Sequence, residues 1–482
     1  MAAVAAPVEK RRPVLLGGFS AIAESIWMGF PQASDVLDIR GFLTRELTVS
    51  QASAVLMASF FVSALLGAVR QVLFNAQFGA GADASAFYAA VRLPDALFSL
   101  IAGGALSSAM IPVLLATVRE GGAAAGARLA SLVLNTLLGA FVVLIVAGEM
   151  FAGPFVTHVL APGFDAHTSE LATGLTRVML LQPLILAVGS VATAVLNSQS
   201  RFQLTGLSIA AHNLGLIAGV LATRAHPAFG IYGPAYGVLL GAVLQAVILL
   251  PALLGGSYRY RPAWDPGDAR LRATIALLIP NGLAVGVAYT GFIVDTSFAS
   301  RAADHAALPA IQNAFMLVGL PIALLGQAVG QSAFPRLAAY AEEADWTRLR
   351  STLLRALGAV IALAIPAAVL LVLLGRIAIR ILFEHGRFGG AAGALTYDVL
   401  AAYAVGLPAY VVAEVLARTL IALRDTRTPL FTNTGQVAGR AVIMAALVGS
   451  RGALAIPLAF VAMAGLEAVA LGAVVGFRLR SR

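Results

Sequence analysis

Long apolar stretches alternate with short polar segments along most of this sequence. Windows of about 20 apolar residues, the length that crosses a bilayer as a helix, recur about twelve times. The predicted spans are residues 53–77, 86–116, 127–152, 169–197, 203–224, 230–254, 271–299, 308–334, 352–374, 393–423, 429–449 and 453–477. The pattern therefore predicts an all-α, polytopic membrane protein with about twelve transmembrane helices.

The second half of the chain repeats motifs of the first half. SSAMIPVLL at 107–115 aligns with GQSAFPRLA at 330–338, an offset of 223 residues (330 − 107). NSQSRFQL at 197–204 aligns with LRDTRTPL at 423–430, an offset of 226 (423 − 197). Six spans, an even number, separate the copies. The repeat predicts two six-helix lobes in the same orientation, related by a pseudo-two-fold axis along the membrane normal.

The spans and the repeat together divide the chain. Residues 53–254 form the predicted N-lobe and residues 271–477 the predicted C-lobe. Residues 255–270 are the cytoplasmic loop between the lobes. Residues 1–50 are interpreted as a cytoplasmic or interfacial extension, and residues 478–482 as a cytoplasmic tail.

Composition supports this interpretation and narrows the function. The chain is 60% hydrophobic and 11% charged, whereas soluble proteins are about 25% charged. Of its 32 Lys and Arg residues, 21 fall in the tails and alternate loops of one side, which places both termini in the cytoplasm. The net charge of +9 comes from basic residues grouped in the loops between the spans, where they determine the topology, so it does not indicate binding of nucleic acid. The chain has no cysteine and no metal, nucleotide or hydrolase motif, so neither a cofactor nor an enzymatic activity is predicted.

Charged residues inside the first two spans are candidates for binding a substrate. Arg70 and Arg92 flank the Gly-rich turn at 79–81, and Asp95 follows Arg92. An arginine at mid-bilayer costs about 2.5–3.5 kcal/mol, so it usually faces a bundle interior or a watery cavity, where an anionic substrate can compensate it. The alternative is that both side chains extend to an interface and have no further role.

The predicted C-lobe contains further charged residues within spans. Asp295 and Arg440 lie at similar depths, and their pairing is compatible either with a structural ion pair or with a site for a coupling ion. Glu414 and Arg418, at i and i+4 on one helix, are expected to neutralise each other. Glu467 is predicted to be interfacial.

Several long motifs lie within the predicted spans and in the loops that join them. They are LLGAVRQ, FGAGADASAFYAAVRLPD and GGALSSAMIPVL at 65–114, APGFD at 161–165, LNSQSRF at 196–202, LFEHGRF at 382–388 and EVLARTLIALRDTRTP at 414–429. In these motifs the chain resembles the MurJ (MviN) family of lipid II flippases, within the multidrug/oligosaccharidyl-lipid/polysaccharide exporter superfamily. The resemblance covers about residues 55–477.

The resemblance implies a function and a location. Two six-helix lobes would enclose a cationic cavity that takes up the diphosphate of an undecaprenyl-linked disaccharide-pentapeptide and delivers it outward by alternating access. Arg70 and Arg92 match basic positions of the family, and arginine suits a diphosphate because it can bond two oxygens at once. The implied setting is the bacterial cytoplasmic membrane, with membrane lipids and cell-wall synthesis proteins as partners of a monomer. Coupling to Na⁺, H⁺ or the membrane potential stays open.

The chain also departs from the family pattern. Ala64, Phe98 and Met316 stand where members carry arginines, and Gly103 stands at an acidic position. Asp295 matches an acidic position associated in some members with bound sodium, but Arg440 falls where a ligand on the eleventh span would lie. These departures keep two alternatives open: a cation-coupled exporter of drugs or other amphiphiles, and a non-transporting scaffold paralogue in cell-wall assembly.

Overall fold

The computed structural model describes residues 48–101, 105–254 and 258–480. Nearly all of the predicted N-terminal extension, and also Gly103, lie outside these residues. The described chain forms sixteen α-helices. They are α1 (Val49–Phe78), α2 (Ala82–Ala90), α3 (Arg92–Ile101), α4 (Ala105–Phe155), α5 (Ala166–Met179), α6 (Leu181–Ser198), α7 (Gln203–Ala225), α8 (Tyr232–Leu249), α9 (Pro251–Leu254), α10 (Ala269–Ser300), α11 (Ala307–Pro321), α12 (Ala328–Glu342), α13 (Trp346–Leu382), α14 (Gly390–Ala422), α15 (Arg427–Arg451) and α16 (Ala455–Arg480).

These helices account for the predicted membrane spans. The described residues contain nine helical segments long and apolar enough to cross a bilayer. Two of them, Ala105–Leu160 and Arg427–Arg480, each contain parts of two consecutive predicted spans, and α10 supplies the predicted seventh. The chain is therefore a multi-pass, all-α membrane protein.

Two predicted boundaries in the first lobe were wrong. The second span is not one helix, because α2 ends at Ala90 and α3 begins at Arg92. Pro94 has no N–H to donate to the carbonyl of Ala90, which favours a break at this point. The predicted loop after this span is helical apart from Gly122, whose φ of 72° turns the chain back within α4.

The backbone confirms the predicted repeat. Residues with positive φ occur at matching turns of the two lobes, and each pair is separated by nearly the same length of chain as the repeated motifs. The pairs are Gly122 with Ala344, Ser200 with Arg424, and Gly230 with Gly452. Positive φ is disfavoured for Ser, Ala and Arg, so its recurrence indicates a shared chain path rather than chance.

Within the first lobe, α7 packs tightly on α8. A Cβ on Gly215 would lie 2.2 Å from the backbone nitrogen of Gly241, so neither backbone could come as close if a larger residue stood there. The recurrent small residues therefore serve helix packing, as the sequence predicts.

The segment that joins the lobes runs along α4 as a strap, which we define as residues 258–268. The side chain of Asn135 donates to the carbonyl of Ala263 at 2.7 Å and accepts from the hydroxyl of Tyr260 at 2.9 Å. The backbone N–H of Arg261 donates to the hydroxyl of Ser131 at 3.1 Å. The strap is thus fastened to the first lobe, and α10 begins directly after it.

The lobes meet along α10 and at one end of the bundle. Helix α10 packs against α3 and α4 of the first lobe. At the end of the bundle, α2 packs against α11, and the C-terminal part of α1 bonds to α11 and to the loop at 383–389. We call this region the sealed end. Toward the other end of α1, the side chains of Phe60, Phe61 and Leu65 are exposed.

Candidate substrate-binding site

Arg70 lies within the helix bundle, eight residues before the end of α1. Its side chain is half-buried, and one terminal nitrogen donates to Asn213 Oδ1 on α7 at 3.2 Å. The amide nitrogen of Asn213 in turn donates to the hydroxyl of Ser63 at 2.9 Å. A neutral carboxamide therefore orients the Arg70 guanidinium without cancelling its charge.

Arg92 reaches from the first lobe to the second. It is the first residue of α3, a position that follows from the break before Pro94. Its Nε donates to Thr296 Oγ1 on α10 at 3.2 Å, and a terminal nitrogen donates to Gln312 Oε1 on α11 at 2.9 Å. The guanidinium carbon lies 5.5 Å from the centre of the Phe292 ring, within the range of a cation–π contact.

Asp95 is the acidic residue of this group. Its carboxylate interacts electrostatically with both Arg92 and Arg70. Neither arginine forms an ion pair with a carboxylate of the described residues. The structure thus brings the three residues that the sequence singled out into one electrostatic environment with excess positive charge, which an anion would balance.

Asp295 and Arg440 form an ion pair between α10 and α15. The Arg440 side chain is only 7% exposed, lies 3.4 Å from the carbonyl of Gly291, and places its guanidinium 5.4 Å from the centre of the Phe460 ring. The carboxylate that a coupling cation would need is therefore already engaged by a guanidinium.

The two polar ties occupy equivalent places in the repeat. Arg70 and Asn213 join the first and fifth spans of the first lobe, and Asp295 and Arg440 join the first and fifth spans of the second. The positive charge lies on the first span in one lobe and on the fifth in the other. Because the partner of Arg70 is a neutral amide, its charge is not neutralised by that contact, whereas the two charges in the second lobe neutralise each other.

A cavity of about 200 Å³ opens beside the ion pair in the second lobe. Glu414 lines it and pairs with Arg418 at 2.6 Å, at the predicted i, i+4 spacing. Glu467 also lines this cavity, and its carboxylate accepts from Thr432 at 3.3 Å. The prediction that Glu467 is interfacial was wrong, because it lies in the middle of α16. Among the described residues no cluster of three His, Cys, Asp or Glu is suited to a metal ion.

A buried network of neutral side chains closes the sealed end. Gln71 Nε2 donates to Asn313 Oδ1 at 2.7 Å and to the hydroxyl of Tyr88 at 2.5 Å, and Asn75 Nδ2 donates to the same Asn313 oxygen at 2.9 Å. Both asparagines are fully buried. Sequence reasoning missed this network, because it searched for charges. Three carboxamides within otherwise apolar spans were the available signal.

A backbone contact reinforces the same end. The backbone N–H of Arg387 donates to the carbonyl of Ala76 at 2.8 Å. A Cβ on Gly386 would lie 2.2 Å from that carbonyl oxygen, and a Cβ on Gly79 would lie 2.8 Å from the carbonyl oxygen of Arg387. The motif LFEHGRF thus supplies a glycine that lets a loop of the second lobe dock on α1.

Three of the positions that depart from the family pattern lie in α1, α3 and α11. Ala64 is exposed on α1, whereas Phe98 and Met316 are half-buried. None of them brings a charge to the region of Arg70 and Arg92, so these two residues carry the positive charge that the sequence led us to expect there.

Solved structures with the same fold include transporters. The structure of a lipid II flippase MurJ in an inward closed conformation matches with a TM-score of 0.75, at 22% identity and over 87% of each chain. An inward-facing multidrug resistance transporter of the MATE family matches with a TM-score of 0.73, at 14% identity over 87% of this chain and 95% of that one. The repeated lobes and these likenesses thus define a polytopic membrane protein with a MATE-like fold.

Sequence comparison then identifies the family. The family model "Lipid II flippase MurJ" matches residues 74–476, and the chain belongs to this family. The lipid II flippase MurJ of Burkholderia cenocepacia is 31% identical over 388 residues, 78% of this chain and 74% of that protein. A probable lipid II flippase MurJ of Haemophilus influenzae is 27% identical over 421 residues, 84% of this chain and 80% of that protein.

Proposed function

We propose that this protein flips lipid II, the polyprenyl-diphosphate-linked precursor of peptidoglycan, across the cytoplasmic membrane of a bacterium. The family and its relatives, whose descriptions name this activity, support the substrate. The activity is transport by alternating access and involves no covalent chemistry.

The observation that carries the proposal is the state of Arg70 and Arg92. Both guanidinium groups are held inside the bundle by neutral acceptors, at 3.2 Å from Asn213 and 2.9 Å from Gln312 respectively. The single carboxylate of Asp95 interacts with both groups but can balance only one of their two positive charges. A membrane protein rarely retains an unbalanced charge within its spans. A diphosphate provides the missing negative charge and accepts charge-assisted hydrogen bonds that are about twice as strong as neutral ones.

Orientation is the second part of the proposal. We infer that the end opposite the sealed end, and both termini, face the cytoplasm, because the loops at that end hold the excess of basic residues. The sealed end then faces outward. In this state the headgroup would enter from the cytoplasmic side, where α1 exposes its N-terminal half.

The Asp295–Arg440 pair bears on the alternative of a cation-coupled exporter. An exporter that binds its coupling cation at Asp295 would have to displace a guanidinium first. The pair therefore favours the flippase over an exporter of that type, and favours coupling that does not use Asp295 as a sodium ligand.

Translocation of labelled lipid II in proteoliposomes, together with rescue of cells depleted of their own flippase, tests the proposal. We expect the double variant Arg70→Ala, Arg92→Ala to lose rescue and to translocate lipid II at least about tenfold more slowly, since hydrogen bonds to charged groups contribute about 1.5–3 kcal/mol. The matched control Arg119→Ala, Arg451→Ala removes two exposed arginines and should keep both activities.

Two outcomes would contradict the proposal. Full rescue by the Arg70→Ala, Arg92→Ala variant would remove these residues from the mechanism. Wild-type protein that moves dyes or drugs along a cation gradient, but not lipid II, would establish the exporter in its place. Wild-type protein that moves neither would favour the scaffold.

A further inference from the structure

Arg92 is both a candidate ligand for the diphosphate and a link between the lobes. Its two hydrogen-bond acceptors, Thr296 and Gln312, belong to α10 and α11 of the second lobe, whereas Arg92 itself belongs to α3 of the first. Any group that takes over the donors of Arg92 therefore removes a contact between the lobes.

The acceptors that now hold Arg92 are weak competitors for its guanidinium. Gln312 offers a carboxamide oxygen at 2.9 Å and Thr296 a hydroxyl oxygen at 3.2 Å, and neither is charged. Asp95 and Asp295 act on Arg92 electrostatically but form no ion pair with it, and Asp295 is engaged by Arg440. A phosphate oxygen makes a stronger, charge-assisted bond to the same donors.

The link lies next to the groups that close the sealed end. Gln312 adjoins Asn313, whose side chain accepts from both Gln71 and Asn75 of α1. A shift of this part of α11 would therefore disturb the Gln312 contact and the buried network together.

We propose that Gln312, assisted by Thr296, is a positioning residue that holds Arg92 in a link between the lobes until a diphosphate takes over the guanidinium. The inference rests on the proposed function and adds its trigger: the headgroup loosens the sealed end by exchanging the partners of Arg92. Opening is then conditional on substrate, because without an anion the guanidinium stays with Gln312.

Distances across the sealed end test this exchange. The chain contains no cysteine, so Gly81→Cys in the first lobe and Ala303→Cys in the second provide two exposed and unique labelling sites. With spin labels at both sites and the protein in nanodiscs, pulsed electron paramagnetic resonance measures the distribution of distances between the two labels. The probes are geranylgeranyl diphosphate, geranylgeraniol as its uncharged counterpart, and inorganic diphosphate, which separates a lipid-linked anion from a free one.

Two variants of Gln312 should shift this distribution in opposite directions. Gln312→Leu removes the acceptor, so we expect longer distances without any probe and a smaller response to geranylgeranyl diphosphate. Gln312→Glu replaces a neutral acceptor by a charged one, so the protein should need about tenfold more of this probe to open. Misfolding would not produce opposite shifts. Geranylgeraniol should have no effect on any of the proteins.

The result can fail separately from the proposed function. If geranylgeranyl diphosphate leaves the wild-type distances unchanged or shortens them, or if both variants behave as wild type, the exchange is refuted even when lipid II is translocated. If inorganic diphosphate alone opens the protein as well as the lipid does, the trigger is a free anion and our assignment to the lipid headgroup is overturned. If the wild-type protein does not translocate lipid II, the proposed flippase function is refuted instead.

Discussion

Neutralising Asp295 alone should strongly destabilise the second lobe. The variant Asp295→Asn leaves the Arg440 guanidinium without its counter-charge in a position where the side chain is only 7% exposed. Removing one partner of a buried ion pair costs about 3–5 kcal/mol. For a lobe of about 200 residues each kcal/mol shifts the melting temperature by about 2–4 °C, so Tm should fall by at least about 6 °C.

Thermal unfolding of the detergent-purified protein measures this change, and the same lobe offers a matched control. Glu414→Gln also removes one carboxylate from an arginine pair, but Glu414 is 34% exposed and Arg418 is 26% exposed. Pairs of this kind at i, i+4 contribute only about 0.3–0.5 kcal/mol, so the control should lower Tm by less than about 2 °C.

A double substitution distinguishes two causes of the lower stability: burial of the unpaired Arg440 charge, and loss of the attraction between Asp295 and Arg440. In Asp295→Asn, Arg440→Gln both charges are gone and two neutral groups remain in contact, so most of the lost stability should return. The reasoning is refuted if Asp295→Asn and Arg440→Gln, each made alone, lower Tm by less than about 2 °C, or if the double variant lowers Tm by the sum of these two effects.

Two further predictions concern the sealed end and a turn of the second lobe. Gly386→Ala places a Cβ 2.2 Å from the carbonyl oxygen of Ala76, at a residue whose φ is 59°. We expect this variant to destabilise the protein by about 1–3 kcal/mol in thermal unfolding. The control Gly389→Ala, whose Cβ would have nothing within 4 Å, should leave the stability unchanged, and equal effects of the two variants would contradict this reasoning. Burial acts to raise the pKa of Asp425, but hydrogen bonds from Thr428 and the charge of a neighbouring arginine outweigh it and hold that pKa below its usual value. The free energy of unfolding of the wild type should therefore exceed that of Asp425→Asn by a constant amount above about pH 5, and this difference should shrink below about pH 4. A difference that grows on acidification would exclude a lowered pKa for Asp425.

Hydrophobic periodicity was sufficient to predict the helical class and the spans, and the matching motifs of the two halves predicted the repeated lobes. Burial in lipid imposes long apolar helices, so the pattern along the chain reports them directly. It did not predict the break at Val91, which depends on the local effect of Pro94, and it made the loop around Gly122 longer than the turn that the structure shows. The break at Val91 leaves the apolar pattern around it unchanged, so periodicity gives no signal for it.

The candidate site was predictable only in its charged members. Arg70 and Arg92 stand out because ionisable groups are rare within spans. Their partners Asn213 and Gln312 do not, since neutral side chains occur in many spans for packing alone. Which of them meet across the lobes depends on tertiary structure, and a single sequence carries no direct signal for that.

The strap gives the two lobes a pivot. Its fastening to α4 through Tyr260 and Ala263 leaves only a few residues to bend before α10 begins at Ala269. Helix α10 has 32 residues, which corresponds to a length of about 48 Å. A rotation of only about 10° near Ala269 would therefore displace the other end of a helix of this length by about 8 Å, enough to separate side chains there while those near Ala269 hardly move.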